Sequence, residues 1–114
     1  MDVYRASETQ ASQAGRYFRR PLLVTERMRA FMLGLEPNFA VQNHAHAESD
    51  ELLYVFSGSA SFLLGDGSVE EVSAGDAVVL DPGEWHQITT GASPLDMLAV
   101  VAPNLPDALT EQDA

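Results

Sequence analysis

The segment from residue 38 to residue 58, NFAVQNHAHAESDELLYVFSG, carries the strongest evidence for the fold. Its two histidines, His44 and His46, are two residues apart, so a β-strand directs both imidazoles to the same face. A polar turn at residues 48–50 follows, and the carboxylate of Glu51 comes directly after it. A hairpin-like reversal at this turn would return the carboxylate towards the imidazole pair. The segment therefore predicts a cluster of metal-ligating side chains.

A second segment, residues 75–90 with the sequence GDAVVLDPGEWHQITT, supplies the third histidine of the chain, His86. His86 follows an apolar strand and a tight turn that contains Pro82 and Gly83. Imidazoles and a carboxylate suit one divalent transition metal, namely Fe, Mn, Ni, Cu or Zn. On a six-coordinate ion, four protein ligands would leave two positions for substrate, water or oxygen. The expected ligands are His44, His46, Glu51 and His86.

Short strand-like runs separated by turn residues occupy most of the remaining chain. We predict nine strands, over residues 22–25, 28–35, 41–46, 51–57, 60–64, 68–72, 77–80, 87–90 and 95–101. This pattern, without a long amphipathic helix, indicates an all-β antiparallel sandwich or barrel. Several of the runs are apolar on both faces, so a second sheet or a second subunit must cover the outer face. A homodimer is therefore expected.

The two segments resemble the two motifs of the cupin superfamily. The first motif has a His-x-His pair, a Glu five residues later and a Gly seven residues after that, as in His44, His46, Glu51 and Gly58. The second runs from a Gly through a Pro-x-Gly turn to a His, as in Gly75, Gly83 and His86. The 16 residues between Gly58 and Gly75 are close to the spacing of small microbial cupins. The resemblance implies a double-stranded β-helix, or jelly-roll, barrel.

Three positions depart from these motifs, and none of them is an expected ligand. Asn38 stands in place of the opening Gly, and Asn is among the non-glycine residues that best tolerate positive φ. Asp81 stands at the usual Pro position, but Pro82 follows it and can still stiffen the turn. Thr90 replaces the closing Asn. The expected metal site is unaffected by these changes.

Composition and charge predict one domain with a basic N-terminal arm and an acidic C-terminal tail. The 114 residues, 46% of them apolar, suit a single barrel at 21–103, an extended N-terminal arm at 1–20 and an acidic tail at 104–114. All six cations are arginines within the first 29 residues, whereas 14 of the 17 acids lie beyond them. This asymmetry either serves solubility alone or lets the basic arm dock on acidic barrel surface, in its own or a partner subunit.

Several classes of protein are disfavoured by what the sequence lacks. Without cysteine there is no disulfide, thiolate metal site or cysteine nucleophile. A net charge of −11 argues against nucleic acid as a partner. There is no signal-peptide-like run, and no segment approaches the roughly 20 apolar residues that span a bilayer. We expect a cytoplasmic protein with a small-molecule partner and no membrane contact.

Residues beside the expected ligands are candidates for a pocket. Gln42 shares the strand parity of His44 and His46 and could line the cavity. The other candidates, for which core packing is the competing interpretation, are Phe31, Met32, Tyr54, Phe62, Trp85 and Met97. Arg27 and Arg29 could hold a substrate carboxylate if they point inward, or could be solvated.

The resemblance implies more than one function. An Fe(II) dioxygenase acting on a small chelating substrate is what a three-His, one-Glu site most often implies. A metal-dependent isomerase or lyase would instead use the ion to polarise a carbonyl. A non-catalytic small-molecule-binding module is a third interpretation, because a fold does not dictate activity. No catalytic residue is assigned beyond the metal ligands.

Overall fold

The computed structural model describes residues 1–5, 18–106 and 108–110. Within these ranges the chain forms ten β-strands and no helix. The strands are β1 (Phe18–Val24), β2 (Arg29–Leu35), β3 (His44–His46), β4 (Asp50–Ser57), β5 (Ser59–Leu64), β6 (Val69–Ser73), β7 (Ala77–Leu80), β8 (His86–Thr90), β9 (Leu95–Ala102) and β10 (Ala108–Thr110). The described part of the chain therefore has no helix that is long and apolar enough to cross a membrane.

Two antiparallel five-stranded sheets face each other. The first has the strand order β1-β2-β9-β4-β7, and the second has the order β10-β3-β8-β5-β6. Neighbouring strands are often distant in sequence, as where β2 pairs with β9 and β3 pairs with β8. This interleaving is the double-stranded β-helix that the resemblance implied, so the expected all-β architecture is confirmed.

Alternation along the strands places the core between the sheets. In β4, Leu53 and Val55 are buried, whereas Leu52 and Tyr54 on the opposite face are exposed. The inward residues of β9 are also fully buried, and they are Leu95, Met97, Ala99 and Val101. Glu51 has the same parity as Leu53, so the strand that supplies the core also directs this carboxylate inward.

One turn depends on a glycine for two separate reasons. Gly58, between β4 and β5, has φ +85°, where a β-carbon is disfavoured. A β-carbon at this position would also lie 2.1 Å from the carbonyl oxygen of Pro94, which is a backbone atom that cannot swing away. Asn38 adopts φ 55°, a positive value that fits its position in the first motif, where a Gly is usual.

The observed strands differ from the predicted ones by more than one residue at three places. β1 begins at Phe18, four residues before the predicted start, because it pairs with β2 along the whole of its length. The strand predicted at 41–46 is regular only from His44, since Ala40 makes just an isolated bridge to Thr89. β10 lies within the segment taken as an acidic tail, where it pairs with β3.

The described part of the N-terminal arm lies against the first sheet. The hydroxyl of Tyr4 donates to the carbonyl oxygen of Leu22 at 3.5 Å, and the guanidinium of Arg20 lies 5.9 Å from the Tyr4 ring. Residues 6–17, which include Arg16, lie outside the described part of the chain. Docking of the arm on an acidic surface therefore stays a prediction.

Candidate metal centre and its cavity

The three histidines come from one sheet and the glutamate from the other. His44 and His46 lie on β3, and His86 begins β8 directly opposite His44 in the strand register. Glu51 reaches the imidazoles from β4 in the facing sheet, so the turn before it is a crossover between sheets and not the hairpin that the sequence suggested. A hydrogen bond from the Gly83 amide to the His46 carbonyl oxygen, 2.7 Å long, fixes the turn before β8 against β3.

The four side chains converge inside the barrel. The ring centroid of His44 lies 4.2 Å from that of His86 and 5.5 Å from that of His46. The Glu51 carboxylate spans the group, with Oε1 3.1 Å from His86 Nε2 and Oε2 3.4 Å from His46 Nε2. Potential ligand atoms of His44, Glu51 and His86 all lie within 4.8 Å of one another, so these three residues could bind one metal ion.

Backbone carbonyl groups orient two of the imidazoles for metal binding. Nδ1 of His44 lies 2.9 Å from the carbonyl oxygen of Gln42, and Nδ1 of His86 lies 3.0 Å from that of Glu84. A carbonyl oxygen only accepts, so each Nδ1 carries the hydrogen and each neutral ring has its lone pair on Nε2. Histidine ligands of metal ions are usually oriented in this way, by donating their other ring N–H to a carbonyl oxygen or a carboxylate.

Two atoms of the centre are buried without a hydrogen-bond partner. They are Glu51 Oε1 and His86 Nε2, and no described residue donates a hydrogen bond to either. Although the two atoms are only 3.1 Å apart, a carboxylate oxygen and an imidazole lone pair have no hydrogen to share between them. Unsatisfied buried acceptors are costly, and a divalent cation between them would satisfy both. The donor set therefore fits a transition metal.

Nδ1 of His46 has an arginine side chain as its neighbour, where Nδ1 of His44 and of His86 has a backbone carbonyl group. Nη2 of Arg29 lies 3.4 Å from His46 Nδ1. Because a guanidinium only donates, this contact favours the tautomer in which Nδ1 accepts and Nε2 carries the hydrogen towards Glu51. His46 therefore contacts the carboxylate as a donor here, and its role as a fourth ligand, which requires the other tautomer, stays a proposal.

The two shifted pKa values in the centre have identifiable causes. Burial raises the pKa of Glu51, but the hydrogen bonds and positive charge that the His46 and His86 imidazoles supply in their protonated forms outweigh burial and hold it at about 2. Burial, reinforced by repulsion from His86, lowers the pKa of His44 below its ordinary value of 6.5, against opposing contributions from Gln42 and Glu51. At neutral pH the carboxylate is ionised and His44 is neutral, which are the forms that bind a metal.

A cavity of about 630 Å³ opens beside the metal centre. Two of the predicted pocket residues, Phe31 and Gln42, line it, and so does Arg29. Arg27 is exposed and is not among the described residues that line the cavity.

The other five predicted pocket residues lie elsewhere, for reasons of strand parity and depth. Met32 and Tyr54 alternate with inward residues and so face away from the cavity. Met97 and Phe62 are fully buried in the core, where the ring of Phe62 stacks on that of His86 at 6.5 Å. Trp85 packs against Gly65. Core or surface packing, the competing interpretation, describes all five.

The lining residues that the sequence did not predict include Arg19, Asn104 and Leu105. Arg19 pairs with Leu33 across β1 and β2, and so shares its inward face. Asn104 and Leu105 follow β9 and contact Arg29. Only the pairing of Arg19 with the inward-facing Leu33 predicts that Arg19 lines the cavity, and this pairing cannot be read from the sequence. The predicted first strand begins at residue 22 and so does not include Arg19.

Comparison with known proteins shows the family to which the chain belongs. Residues 31–101, more than half of the chain, match the family described as Cupin domain, and the chain belongs to this family. A search of curated proteins finds no match.

Solved structures share the fold over nearly the whole chain. An uncharacterised conserved protein with a double-stranded β-helix domain from Klebsiella pneumoniae is 24% identical, with a TM-score of 0.85 and 96% of each chain covered. A Thermus thermophilus protein is 25% identical, with a TM-score of 0.81 over 90% of this chain and 98% of its own. The polyketide cyclase RemF from Streptomyces resistomycificus is 25% identical, with a TM-score of 0.78 over 99% of this chain and 89% of its own.

Proposed function

We propose that this protein is a metal-dependent enzyme that acts on a small molecule bound in the cavity. The observation that carries the proposal is the pair of buried, unpartnered atoms, Glu51 Oε1 and His86 Nε2, at a point that adjoins a cavity of about 630 Å³. A purely structural cluster would be expected to satisfy its own acceptors. Acceptors that converge beside a space of this size suit an ion and a molecule bound next to it.

In this proposal His44, Glu51 and His86 hold the ion, and His46 joins them if its tautomer changes. Bound there, a divalent metal would supply either oxygen chemistry or Lewis-acid polarisation of a substrate oxygen. The chain's own residues do the remaining work. Gln42 and Glu84 fix the imidazoles through their carbonyl oxygens, and the apolar walls limit the access of water.

Oxidation of a chelating substrate, with Fe(II) as the ion, is our first candidate reaction. It rests on the three-His, one-Glu donor set that forms if His46 joins the other ligands, and Fe(II) is among the metals that suit such a set. A second candidate is carbonyl chemistry of the lyase, isomerase or cyclase type without net oxidation. The similarity to polyketide cyclase RemF, at 25% identity over most of both chains, favours this second candidate.

The test begins with elemental analysis of protein purified without a metal-affinity column. The protein is then loaded anaerobically with Fe(II), Mn(II) or Zn(II), and a panel of chelating hydroxy acids and diketones is screened for oxygen uptake and for product formation. Oxygen uptake with Fe(II) supports oxidation, whereas product formation without oxygen uptake supports carbonyl chemistry. Tight binding of the panel without turnover would contradict an enzyme and leave a binding module.

A pair of neighbouring substitutions gives the matched control. His86→Ala removes a ligand, whereas Gln87→Ala changes the next residue, whose side chain has the opposite parity on β8. We expect His86→Ala to lose both the metal and the turnover, and Gln87→Ala to keep both. Equal metal content in the two variants would refute the proposed centre.

We also propose that the protein functions as a homodimer. Leu52, Tyr54 and Val79 form an outer apolar patch on β4 and β7, with exposed fractions of 42%, 39% and 67%. Leu52 pairs directly with Val79 across these strands, so the patch is continuous. Exposed apolar side chains that cluster in this way are typical of a protein–protein contact.

A further inference from the structure

We propose that the cavity binds a small carboxylic acid with an apolar body, and that Arg29 and Arg19 hold its carboxylate. As a statement about the substrate, the proposal rests on the metal-dependent function proposed above. As a statement about binding, it rests on the two arginines and the walls of the cavity alone.

Arg29 is held in a fixed orientation before any ligand binds. Its Nη1 donates to Asn104 Oδ1 at 2.8 Å and to the carbonyl oxygen of Leu105 at 3.0 Å. Asn104 is itself anchored, because its Nδ2 donates to the carbonyl oxygen of Thr25 at 2.8 Å. A guanidinium that is already ordered loses little conformational entropy when an anion binds.

The contacts of Arg29 leave donors for a ligand. A guanidinium has five N–H groups, of which two are bonded to Asn104 and Leu105 and a third faces His46. With respect to the described residues two donors remain, which is the number that a planar carboxylate takes from an arginine. Asn104 and Leu105 present only neutral oxygens, so they orient the guanidinium without neutralising its charge.

Arg19 brings a second positive charge to the same cavity. Its guanidinium carbon lies 4.1 Å from the centroid of the Phe31 ring, which holds the head group over an aromatic face. Among the residues that the structure describes, no carboxylate forms an ion pair with Arg19 or Arg29. Glu51 is the only acid in the described lining, and it is already engaged by the histidines.

This placement is unusual for the charge of the chain. The protein has a net charge of −11 and only six cations, yet two of them line one cavity. Arg19 is exposed, whereas Arg29 is half-buried and has no ion-pair partner among the described residues. A half-buried cation without a counter-ion is costly, so charge balance favours an anion bound to Arg29. The field of a lined cavity would also concentrate anions at its mouth in spite of the overall negative charge.

The walls of the cavity determine the rest of the ligand. Apart from the polar groups at the metal centre and the arginines, the lining includes Phe31, Leu33, Val41, Leu53, Ile88 and Ala99. These side chains favour a hydrocarbon or aromatic body, and the cavity volume is typical of small-molecule sites. Since Arg29 also contacts His46, a carboxylate on Arg29 would lie directly beside the metal centre. A carboxylic acid with an apolar body is the class of ligand that fits the arginines, the apolar walls and the neighbouring metal centre together.

The experiment compares an acid with its neutral isostere in wild-type protein and in five variants. Isothermal titration calorimetry measures benzoate, benzamide and inorganic phosphate against the metal-free and the Zn(II)-loaded protein. We expect benzoate to bind and both benzamide and phosphate to bind roughly tenfold more weakly or worse, since only benzoate has both a planar anion and an apolar body.

Two pairs of arginines provide matched controls. Arg29→Gln and Arg19→Gln are each expected to raise the Kd for benzoate by roughly tenfold. Arg27→Gln and Arg20→Gln remove the same charge from residues outside the described lining, and we expect them to leave the Kd unchanged. Arg29→Lys keeps the positive charge and is expected to keep the fold, but it loses the planar guanidinium that can donate two parallel hydrogen bonds to a carboxylate. This variant should therefore bind benzoate more weakly than wild type, and it serves as the test if Arg29→Gln does not fold.

The proposal is overturned if benzoate and benzamide bind equally, if phosphate competes with the affinity of benzoate, or if Arg29→Lys and Arg19→Gln behave like Arg27→Gln. Its failure can be told apart from failure of the proposed function. Absence of metal would refute the metal-dependent enzyme while leaving benzoate binding by the metal-free protein intact. Metal-dependent turnover of neutral substrates, with no turnover of carboxylic acids, would refute the carboxylate site and would leave the proposed enzymatic function intact.

Discussion

Glu51 is a residue on which burial and electrostatic pairing act in opposite directions. Burial alone would raise the pKa of the carboxyl group, but His46 and His86 keep it ionised with a pKa of about 2. A carboxylate that stays charged in the core is ready to bind a cation without first losing a proton. The same pairing makes the metal-free protein sensitive to acid.

We expect the metal-free protein to lose stability continuously as the pH falls from about 6.5 to about 2. The lowered pKa of His44 means that the unfolded chain binds its proton first, so this contribution is complete above 6.5 and declines below it. The contribution of Glu51 is complete above its ordinary pKa of 4.5 and is lost as the pH falls towards 2, on the order of 3 kcal/mol. Urea titrations at a series of pH values measure both.

Two further observations check this prediction. His44→Gln should remove the decline that begins near pH 6.5 and keep the decline below 4.5. A free energy of unfolding that stays flat between pH 6.5 and pH 3 in wild-type protein would contradict the assignment.

Substitution of Glu51 tests the donor set at a single residue. Glu51→Gln keeps the shape of the side chain but replaces one carboxylate oxygen by an amide nitrogen, so the affinity for divalent metal should fall by roughly tenfold to hundredfold. Glu84→Gln is the control, because the Glu84 side chain accepts from the Asp81 amide and a glutamine oxygen can do the same. Metal titration by competition with a chromophoric chelator measures both affinities, and similar values for the two variants would count against the centre.

Among the elements, the β4–β5 turn shows how a backbone requirement is built into the first motif. Gly58 combines positive φ with a close approach to Pro94, and Gly67 in the next hairpin has nearly the same φ, +87°, with open space around it. Comparison of the two positions therefore distinguishes the cost of positive φ alone, at Gly67, from the added cost of a steric contact, at Gly58. The motif requires glycine at position 58 for both reasons.

We expect Gly67→Ala to cost roughly 1–2 kcal/mol, which is the usual cost of a left-handed conformation for a residue with a β-carbon. Gly58→Ala adds a clash with the Pro94 backbone and should cost roughly 3 kcal/mol or more. Thermal unfolding measures both, with a loss of roughly 4 °C or more in Tm for each kcal/mol. Equal losses in the two variants would show that β5 shifts to relieve the contact.

The elements also show where sequence patterns stop being informative. Long strands with clear alternation, such as β4 and β9, were predicted to within a residue. β10 has three residues and is mostly exposed, so no periodic burial distinguishes it from a tail. It forms because the free edge of β3 offers backbone groups that Ala108–Thr110 can pair with.

At the scale of the whole molecule, the outer apolar patch predicts the oligomeric state. We expect sedimentation velocity to show a dimer for wild-type protein, and Val79→Asp to shift it towards monomer by placing a charge in the contact. Val69→Asp is the matched control, because Val69 is also exposed, at 55%, but lies on β6 in the other sheet. A wild-type monomer at micromolar concentration, or a dimer indifferent to Val79→Asp, would contradict a dimer through this face.

The sequence by itself indicated the all-β class, the family motifs and four expected ligands, of which His44, Glu51 and His86 lie close enough together to bind one metal ion. These follow from information that is local in the chain: the spacing of His44 and His46, the alternation in β4, and the glycine at position 58. Only the tertiary structure decided that Glu51 reaches the histidines from the opposite sheet, that Arg29 contacts His46, and that Arg19 enters the same cavity. The physical reason is register. Which side chains meet across a barrel depends on the pairing of strands far apart in sequence, and a shift of one residue would turn Arg19 out and Arg20 in.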